Sequence, residues 1–541
     1  MKTRIFSVVL LLCTAIFLSS CSSAKKDNNT DNNASDSTIS TAPEDSSAED
    51  NSTETATLMA GLADASQYYG TTFGQGSIID INVEISEDDW SDIKENATKE
   101  EYHSANITVN GTTVNNVGFR TKGFSSLNSV ASSDSDRYGF KVKLDEYVDD
   151  QTLNGLDTFV LNASFSDPSY MREFLTYAAS EYLGCQTPYL SYCRLSINGE
   201  LFGFYLCIEA YDDSFVARYT DAKDAVLYKA ESENCTLLTN DDASGFDVKY
   251  GEDDGNSNIK KLITVLNNTT EDNKEELEAI LDVDSVLKAI AVNTVMGNYD
   301  SYSGSKAHNY YLLYSDGRFS YIGWDYNMSI GGFSEDNGAS VTTDISSPVY
   351  NVDLSKRPLI EKLLAIPEYK ERYMGYLNSL TSYFSNSESM VSGIADVIRT
   401  EVEKDPTAFY TIEEFESNIT ASDTDLSQVQ NAMNGKGFNQ NLQQGYWQMP
   451  DGADGSRNGF GYGQAGMTPE DRPDFGDGQS WTMPEGFEPD GEDGNSSDQA
   501  DMPERNNNMQ QPGGGGPSIN STAVSIIDYI TQRIANIQEQ E

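Results

Sequence analysis

The stretch from His308 to Asn327, HNYYLLYSDGRFSYIGWDYN, contains two apolar, aromatic-rich runs separated by Ser315-Asp316-Gly317. Such runs flanking an Asp-Gly step predict a β-hairpin. The second run does not fade into an ordinary loop but ends on Trp324, Asp325, Tyr326 and Asn327 before relaxing at Gly331 and Gly332. Two readings follow: a strand exit with a turn, or a carboxylate aimed at a metal ion. The rest of the chain decides between them.

Outward from this hairpin, the same turn chemistry recurs. Asn110-Gly111 and Asn198-Gly199 sit inside ANITVNGTTVNNVGFRTKG and SYCRLSINGELFGFYLCIEAYD, so both predict hairpins. SIIDINVEIS reads as a strand, and SEDDWSDIKENA as a short helix capped by Ser86. In YGFKVKLDE, Phe140, Val142 and Leu144 alternate with Lys141 and Lys143, as in a half-buried strand. SDPSYMREFLTYAASEYLG predicts a helix with Ser166 or Asp167 as its cap, Pro168 in its first turn and Gly184 at its end. DVDSVLKAIAVNTVMGNYDSYS predicts a mostly buried helix that opens into a polar loop at Asn298, and helices dominate after the hairpin. A strand-rich half followed by a helix-rich half is an α+β order.

The ends read differently. Lys2 and Arg4 precede an apolar run from Ile5 to Phe17, then Leu18-Ser19-Ser20-Cys21, which predicts a secretory signal over 1–20. Leu-Ser-Ser-Cys resembles a bacterial lipobox, implying lipidation of Cys21 and an exported, membrane-anchored surface lipoprotein; the plainer reading is an ordinary signal peptide. Residues 21–72 are too polar to form a core and predict a disordered acidic tether. The folded domain is expected over 73–433, a Gly, Pro, Met and Asp-rich disordered segment over 434–517, and an amphipathic helix over 518–541 that docks back on the domain.

The 541 residues hold 86 Asp and Glu against 35 Lys and Arg, a formal net charge of -51. Such a surface repels nucleic-acid phosphates and anionic lipid, leaving the lipid anchor as the expected membrane contact. Beyond Cys13 and Cys21 the cysteines are Cys185, Cys193, Cys207 and Cys235, with no C-x-x-C pair to suggest zinc. They read as small buried residues, with one disulfide between Cys193 and Cys207 as an alternative. His103 and His308 are the two histidines, and no P-loop, H-E-x-x-H or EF-hand loop occurs.

One order carries chemistry. Asp300 follows a buried helix, Asn309 opens the hairpin and Asp325 closes it. Protein kinases run a catalytic-loop Asp, a metal-binding Asn, a short hairpin and a metal-binding Asp in this sequence. The reason is physical: metal ions bridging phosphates need hard oxygen ligands, while another carboxylate receives the attacking hydroxyl. Upstream, Lys141 or Lys143 is the candidate phosphate lysine and Glu173 its ion partner. YLCIEAYDD, with Glu209 as a nucleotide-facing candidate, sits where a linker between two lobes would lie. The Gly-rich loop of kinases is missing.

At GFRTKGFSS, YGFKVKLDEY, LNASFSDPSYMREFLTY, INGELFGFYLCIEAYDDSFV, VLYKAE, RPLIEKLLAIPEYKERY and above all the block from Asn298 to Phe333, the chain resembles the spore-coat protein H (CotH) kinase-like family. The resemblance implies an atypical, two-lobed kinase-like fold that uses ATP and Mg²⁺ or Mn²⁺ to phosphorylate Ser or Thr of a Ser/Thr-rich protein of the spore coat or cell envelope. It implies Asp300 as the catalytic acidic residue, Asn309 and Asp325 as metal ligands, Trp324 as a wall that stacks on the base, and Lys122 as a further phosphate contact. Members often carry a second Asp at position 327; Asn327 keeps an oxygen ligand but drops a charge. The alternative is a surface adhesin or scaffold that keeps the fold without catalysis.

Overall fold

Alternation of buried residues with more exposed ones, as in Ile79, Ile81 and Val83 against Asp80, Asn82 and Glu84, makes some strands of the first half one-sided, whereas others, such as Thr158–Asn162, are buried on both faces. The computed structural model describes residues 69–73, 77–231, 235–333, 338–422, 424–428 and 524–541. The expected signal, Cys21, the expected tether up to residue 68 and the expected disordered segment 434–517 lie outside the described residues. The strands are β1 (Ile79–Glu84), β2 (His103–Val109), β3 (Thr112–Lys122), β4 (Gly139–Lys143), β5 (Thr158–Asn162), β6 (Leu190–Ile197), β7 (Glu200–Glu209), β8 (Val226–Ala230), β9 (Phe246–Tyr250), β10 (Tyr310–Ser315) and β11 (Arg318–Gly323). The helices are α1 (Glu87–Glu95), α2 (Ser125–Ala131), α3 (Arg172–Tyr182), α4 (Asp213–Tyr219), α5 (Ser257–Asn268), α6 (Lys274–Glu278), α7 (Val283–Met296), α8 (Pro358–Leu364), α9 (Pro367–Tyr383), α10 (Ser387–Lys404), α11 (Ile412–Asn418) and α12 (Ile526–Gln540).

The order is α+β, with strands concentrated in the first half and helices in the second. Strands β1 to β7 close a barrel in the order β1-β2-β3-β4-β5-β7-β6. Its seam is a parallel pairing of β1 with β6, Ile79 opposite Cys193, which removes both sheet edges. The remaining strands form a second sheet, β11-β10-β8-β9, backed by α7, on which later helices pack in turn. At the three expected hairpins, Asn110-Gly111, Asn198-Gly199 and Asp316-Gly317 all have both residues at positive φ, the primed turn that matches strand twist.

Three expectations are corrected. Residues 69–72, expected in the tether, belong to a 3₁₀ turn, Tyr69–Phe73, because Phe73 is fully buried against Tyr189 in the barrel core. Helix α3 begins at Arg172 rather than beside Pro168, with Ser166 and Tyr170 held at positive φ. Asp167 still serves its start, since one carboxylate oxygen accepts from Arg172 N at 2.9 Å. Cys193 and Cys207 are free thiols: Cys193 faces Tyr205 and Cys207 faces Ser191, so the register separates them.

Helix α12 packs on α7 and α10, burying Ile526, Tyr529, Ile530 and Ile537. Tyr529 fills the space that a side chain would need at two glycines. A Cβ on Gly297, the left-handed cap of α7, would lie 1.9 Å from its hydroxyl, and one on Gly331 would lie 2.8 Å from its ring. Arg533 is fully buried and donates to the carbonyls of Thr294, Val341 and Thr343. The chain before and after the segment 429–523 is pinned to one place: Ser422 N donates to Asp528, Leu426 N donates to Gln532, and Gln532 donates to Thr424 O.

Replacing Tyr529 by Ala is expected to cost about 3–5 kcal/mol, the range for deleting a buried aromatic ring. Urea denaturation would show it as a lower midpoint with an unchanged slope.

Candidate active site

Hairpin pairing brings the two ends of the HNYYLL…GWDYN block side by side. Tyr310 stands opposite Gly323, and Trp324 N donates to Asn309 O at 3.2 Å just beyond the ladder. At both exits the backbone turns left-handed, Asn309 at φ 56° and Asp325 at φ 60°. Asn and Asp tolerate that conformation better than other residues with a Cβ. The turn takes both side chains out of the strand alternation, and both line one cleft of about 890 Å³ between the barrel and the second sheet.

Asp300 reaches the same cleft from the loop after α7. Its Oδ1 lies 2.7 Å from His308 Nε2, and Asn309 Nδ2 donates to its Oδ2 at 3.2 Å and to its carbonyl at 2.8 Å. From the barrel side come Lys122 at the end of β3, Lys141 on β4 and Glu173 in the first turn of α3. Trp324 is 8% exposed and packs on Tyr211 and Tyr311, with ring centroids 4.8 and 5.9 Å away. Asn327 lines the cleft and donates to Phe165 O at 3.3 Å.

Two predicted residues are not brought in. Glu209 is fully buried, accepts from Tyr189 N at 2.8 Å and pairs with Arg218, so it holds the end of β7 rather than facing a ligand. Its neighbours Ala210, Tyr211 and Asp212 do line the cleft, on the segment joining barrel to second sheet. Lys143 shares a strand face with Lys141 but lies outside the cleft, paired with Asp145 at 3.6 Å and Glu146 at 3.3 Å. His103 is also elsewhere, between Asp89 and Asp92.

Two residues had been missed. Asn162, the last residue of β5, accepts from Lys122 Nζ at 2.7 Å and donates to Glu173 Oε2 at 2.8 Å. Lys229 on β8 enters the cleft beside Glu231, 3.0 Å away. A lone Asn at a strand end has no motif, whereas Lys229 was visible inside VLYKAE. The acidic trio Asp157, Asp212 and Asp213 has ligand atoms close enough to share an ion, but it is taken up in starting α4: Asp157 accepts from Ser214 N and Asp212 from Asp213 N.

Burial and charge shift these groups together. Burial raises the Glu173 carboxyl to about 7, with the Asp325 charge adding to the rise. Asp325 is raised by burial and by Asp300, against the opposing pull of Lys122. Burial lowers Lys122, while Asp325 and Glu173 hold it up. Lys141 is likewise lowered by burial, opposed by Asp212 at 3.9 Å.

Residues 119–436, more than half of the chain, match the family described as "CotH kinase protein". The chain belongs to the CotH kinase family. It is similar to the inner spore coat protein H of Bacillus subtilis (strain 168), with 28% identity over 192 residues, 34% of this chain and 52% of that protein. The chain thus aligns with about half the length of that curated relative. The CotH match takes in the whole acidic cluster from Asp300 to Asp325, while β1, β2 and α12 lie outside it.

The raised Glu173 sets a pH dependence. Its protonated form stabilises the fold fully below about pH 4.5, and that contribution is lost as pH rises through about 7. In metal-free buffer, the melting temperature of Glu173→Gln is expected to fall less steeply than wild type between those values. A pH series of thermal melts compares the two slopes, and equal slopes would reject the shift.

Proposed function

We propose that this chain is an atypical, two-lobed protein kinase: a metal-dependent phosphotransferase that moves the γ-phosphoryl group of ATP to Ser or Thr hydroxyls of a spore-coat or cell-envelope protein. The observation that carries this reading is the convergence of Lys122, Glu173, Asp300, Asn309 and Asp325, far apart in sequence, on one cleft. Its volume of about 890 Å³ falls in the range of small-ligand sites. The spore-coat assignment leans on the name of the Bacillus subtilis relative. Export with a lipid on Cys21 belongs to the same proposal and rests on the Leu-Ser-Ser-Cys sequence.

The donor set fits a divalent metal. Asn309 spends its Nδ2 on Asp300, which leaves its amide oxygen for a cation, and Asp325 adds a carboxylate. Hard oxygen donors of this kind suit Mg²⁺ or Mn²⁺. When bound, such an ion would neutralise charge on the transferring phosphate. Asn327 can offer only a neutral oxygen, which weakens any second ion relative to an Asp.

The remaining work falls to side chains. Asp300 has Oδ1 engaged by His308 at 2.7 Å and Oδ2 by the longer 3.2 Å bond from Asn309, so Oδ2, the less tightly held oxygen, is the atom that orients the acceptor hydroxyl and takes its proton. His308 and Asn309 fix that carboxylate in place. Lys122, held by Asn162, with Lys141 and Lys229 further along the cleft, supplies positive charge for the phosphates. Trp324, stiffened by Tyr211 and Tyr311, offers an aromatic wall to the base.

Transfer of labelled phosphate from ATP to a Ser/Thr-rich acceptor, with Mg²⁺ or Mn²⁺, tests the reading. Asp300→Asn is expected to lower the rate about 10²–10⁴-fold, the usual weight of a positioned acid or base. Asp325→Ala should abolish transfer, and label transfer that persists in this variant would overturn the proposed site.

A further inference from the structure

The kinase pattern expects Glu173 to ion-pair with the phosphate lysine, and the side chains do something else. Asn162 stands between them, its Oδ1 taking the Lys122 ammonium at 2.7 Å and its Nδ2 donating to Glu173 Oε2 at 2.8 Å. The lysine is therefore held by a neutral amide. The carboxylate keeps one oxygen, Oε1, buried and without a hydrogen-bond partner, in a residue that is only 5% exposed. A buried acceptor left unpaired is costly, and more so when it carries charge. The backbone that carries Glu173 is fixed. The residue sits in the first turn of α3, whose start is fixed by Asp167, and its neighbour Arg172 is fully buried and tied to Asp167 and Val524 O.

Asp325 lines the same cleft, brought there by its left-handed turn, and its charge acts on Glu173. An orphaned buried carboxylate oxygen, on a residue that lines the same cleft as a second carboxylate, supplies a donor pair for a hard cation. We propose that Glu173 is itself a ligand of the divalent cation, shared with Asp325, and that Lys122 is thereby left free to meet phosphate. Asn162 is then a positioning residue: by occupying Oε2 it presents Oε1 to the ion. This inference rests on the metal-dependent reading above, and it moves Glu173 from the lysine to the metal.

Binding of Mn²⁺ to the full chain without nucleotide, read from the free-ion signal in electron paramagnetic resonance, tests the assignment without relying on activity. High salt suppresses loose binding to the acidic surface. Wild type is expected to bind saturably, Glu173→Gln and Asp325→Asn at least tenfold more weakly, and Lys122→Met no more weakly than wild type. Circular dichroism checks each fold. Glu173→Asp, which withdraws the oxygen by one methylene while keeping the charge, is read in the same way should the Gln variant not fold. Wild-type affinity in Glu173→Gln together with loss in Asp325→Asn would overturn the role of Glu173 and leave the Asp325 site standing. No saturable binding by wild type would overturn both this assignment and the metal-dependent reading beneath it.

Discussion

Everything at the cleft hangs on the register of one antiparallel pair, β10 with β11. That pairing sets Tyr310 against Gly323 and closes with the Trp324 N to Asn309 O bond, so the residues on either side of the hairpin mouth are neighbours by construction. A slip of one residue would turn Tyr310 and Leu312 to the face that Tyr311 and Leu313 occupy, and since all four are buried it would disturb packing on both faces. The packing that prevents it is aromatic: Tyr310 stacks on Tyr321 at 5.0 Å, and Tyr302 and Phe246 meet Tyr310 edge-on. The acidic cluster thus inherits its geometry from the apolar core beneath it.

The barrel supplies the opposite wall and imposes a second constraint. Lys122 and Asn162 are terminal residues of β3 and β5, both hydrogen-bonded to β4 between them, so their spacing is fixed by the sheet. Glu173 is placed by a helix whose first residue, Arg172, answers both to Asp167 and to the chain entering α12. Burying an arginine is costly unless its donors are answered, and Arg172 meets this through its two terminal nitrogens while its Nε has no partner. The buried Arg137, with Asp405 at 2.7 Å and the Ala163 and Phe204 carbonyls, has all three nitrogens answered while tying the barrel to the end of α10.

What could be read from sequence divides along the range of the interaction. Hairpins at Asn110-Gly111, Asn198-Gly199 and Asp316-Gly317 were legible because two adjacent residues decide them. So was the order Asp300, Asn309, Asp325, since the intervening elements are short. The barrel's closure was not, because the pairing of β1 with β6 joins residues over a hundred positions apart. Glu209 was misread for a related reason: its burial depends on Arg218 and Tyr189, which no local pattern announces. Lys141 and Lys143 look equivalent by alternation, and only the position of the cleft along β4 separates them. Asn162 lay inside the quoted stretch LNASFSDPSYMREFLTY but carried no chemical signal of its own, since an amide at a strand end is ordinary until its two neighbours are known.

Ser422 and Leu426 on one side of residues 429–523, and Asp528 and Gln532 on the other, are hydrogen-bonded to each other. The fold therefore holds the two flanking ends of the chain side by side. The entropic cost of holding such ends together grows only logarithmically, roughly 0.6 kcal/mol for each doubling of length. Insert length is thus nearly decoupled from folding free energy. Between Gln428 and Val524 the chain offers a splice port, where a reporter or a whole second domain could be carried with the barrel, the hairpin and α12 unchanged.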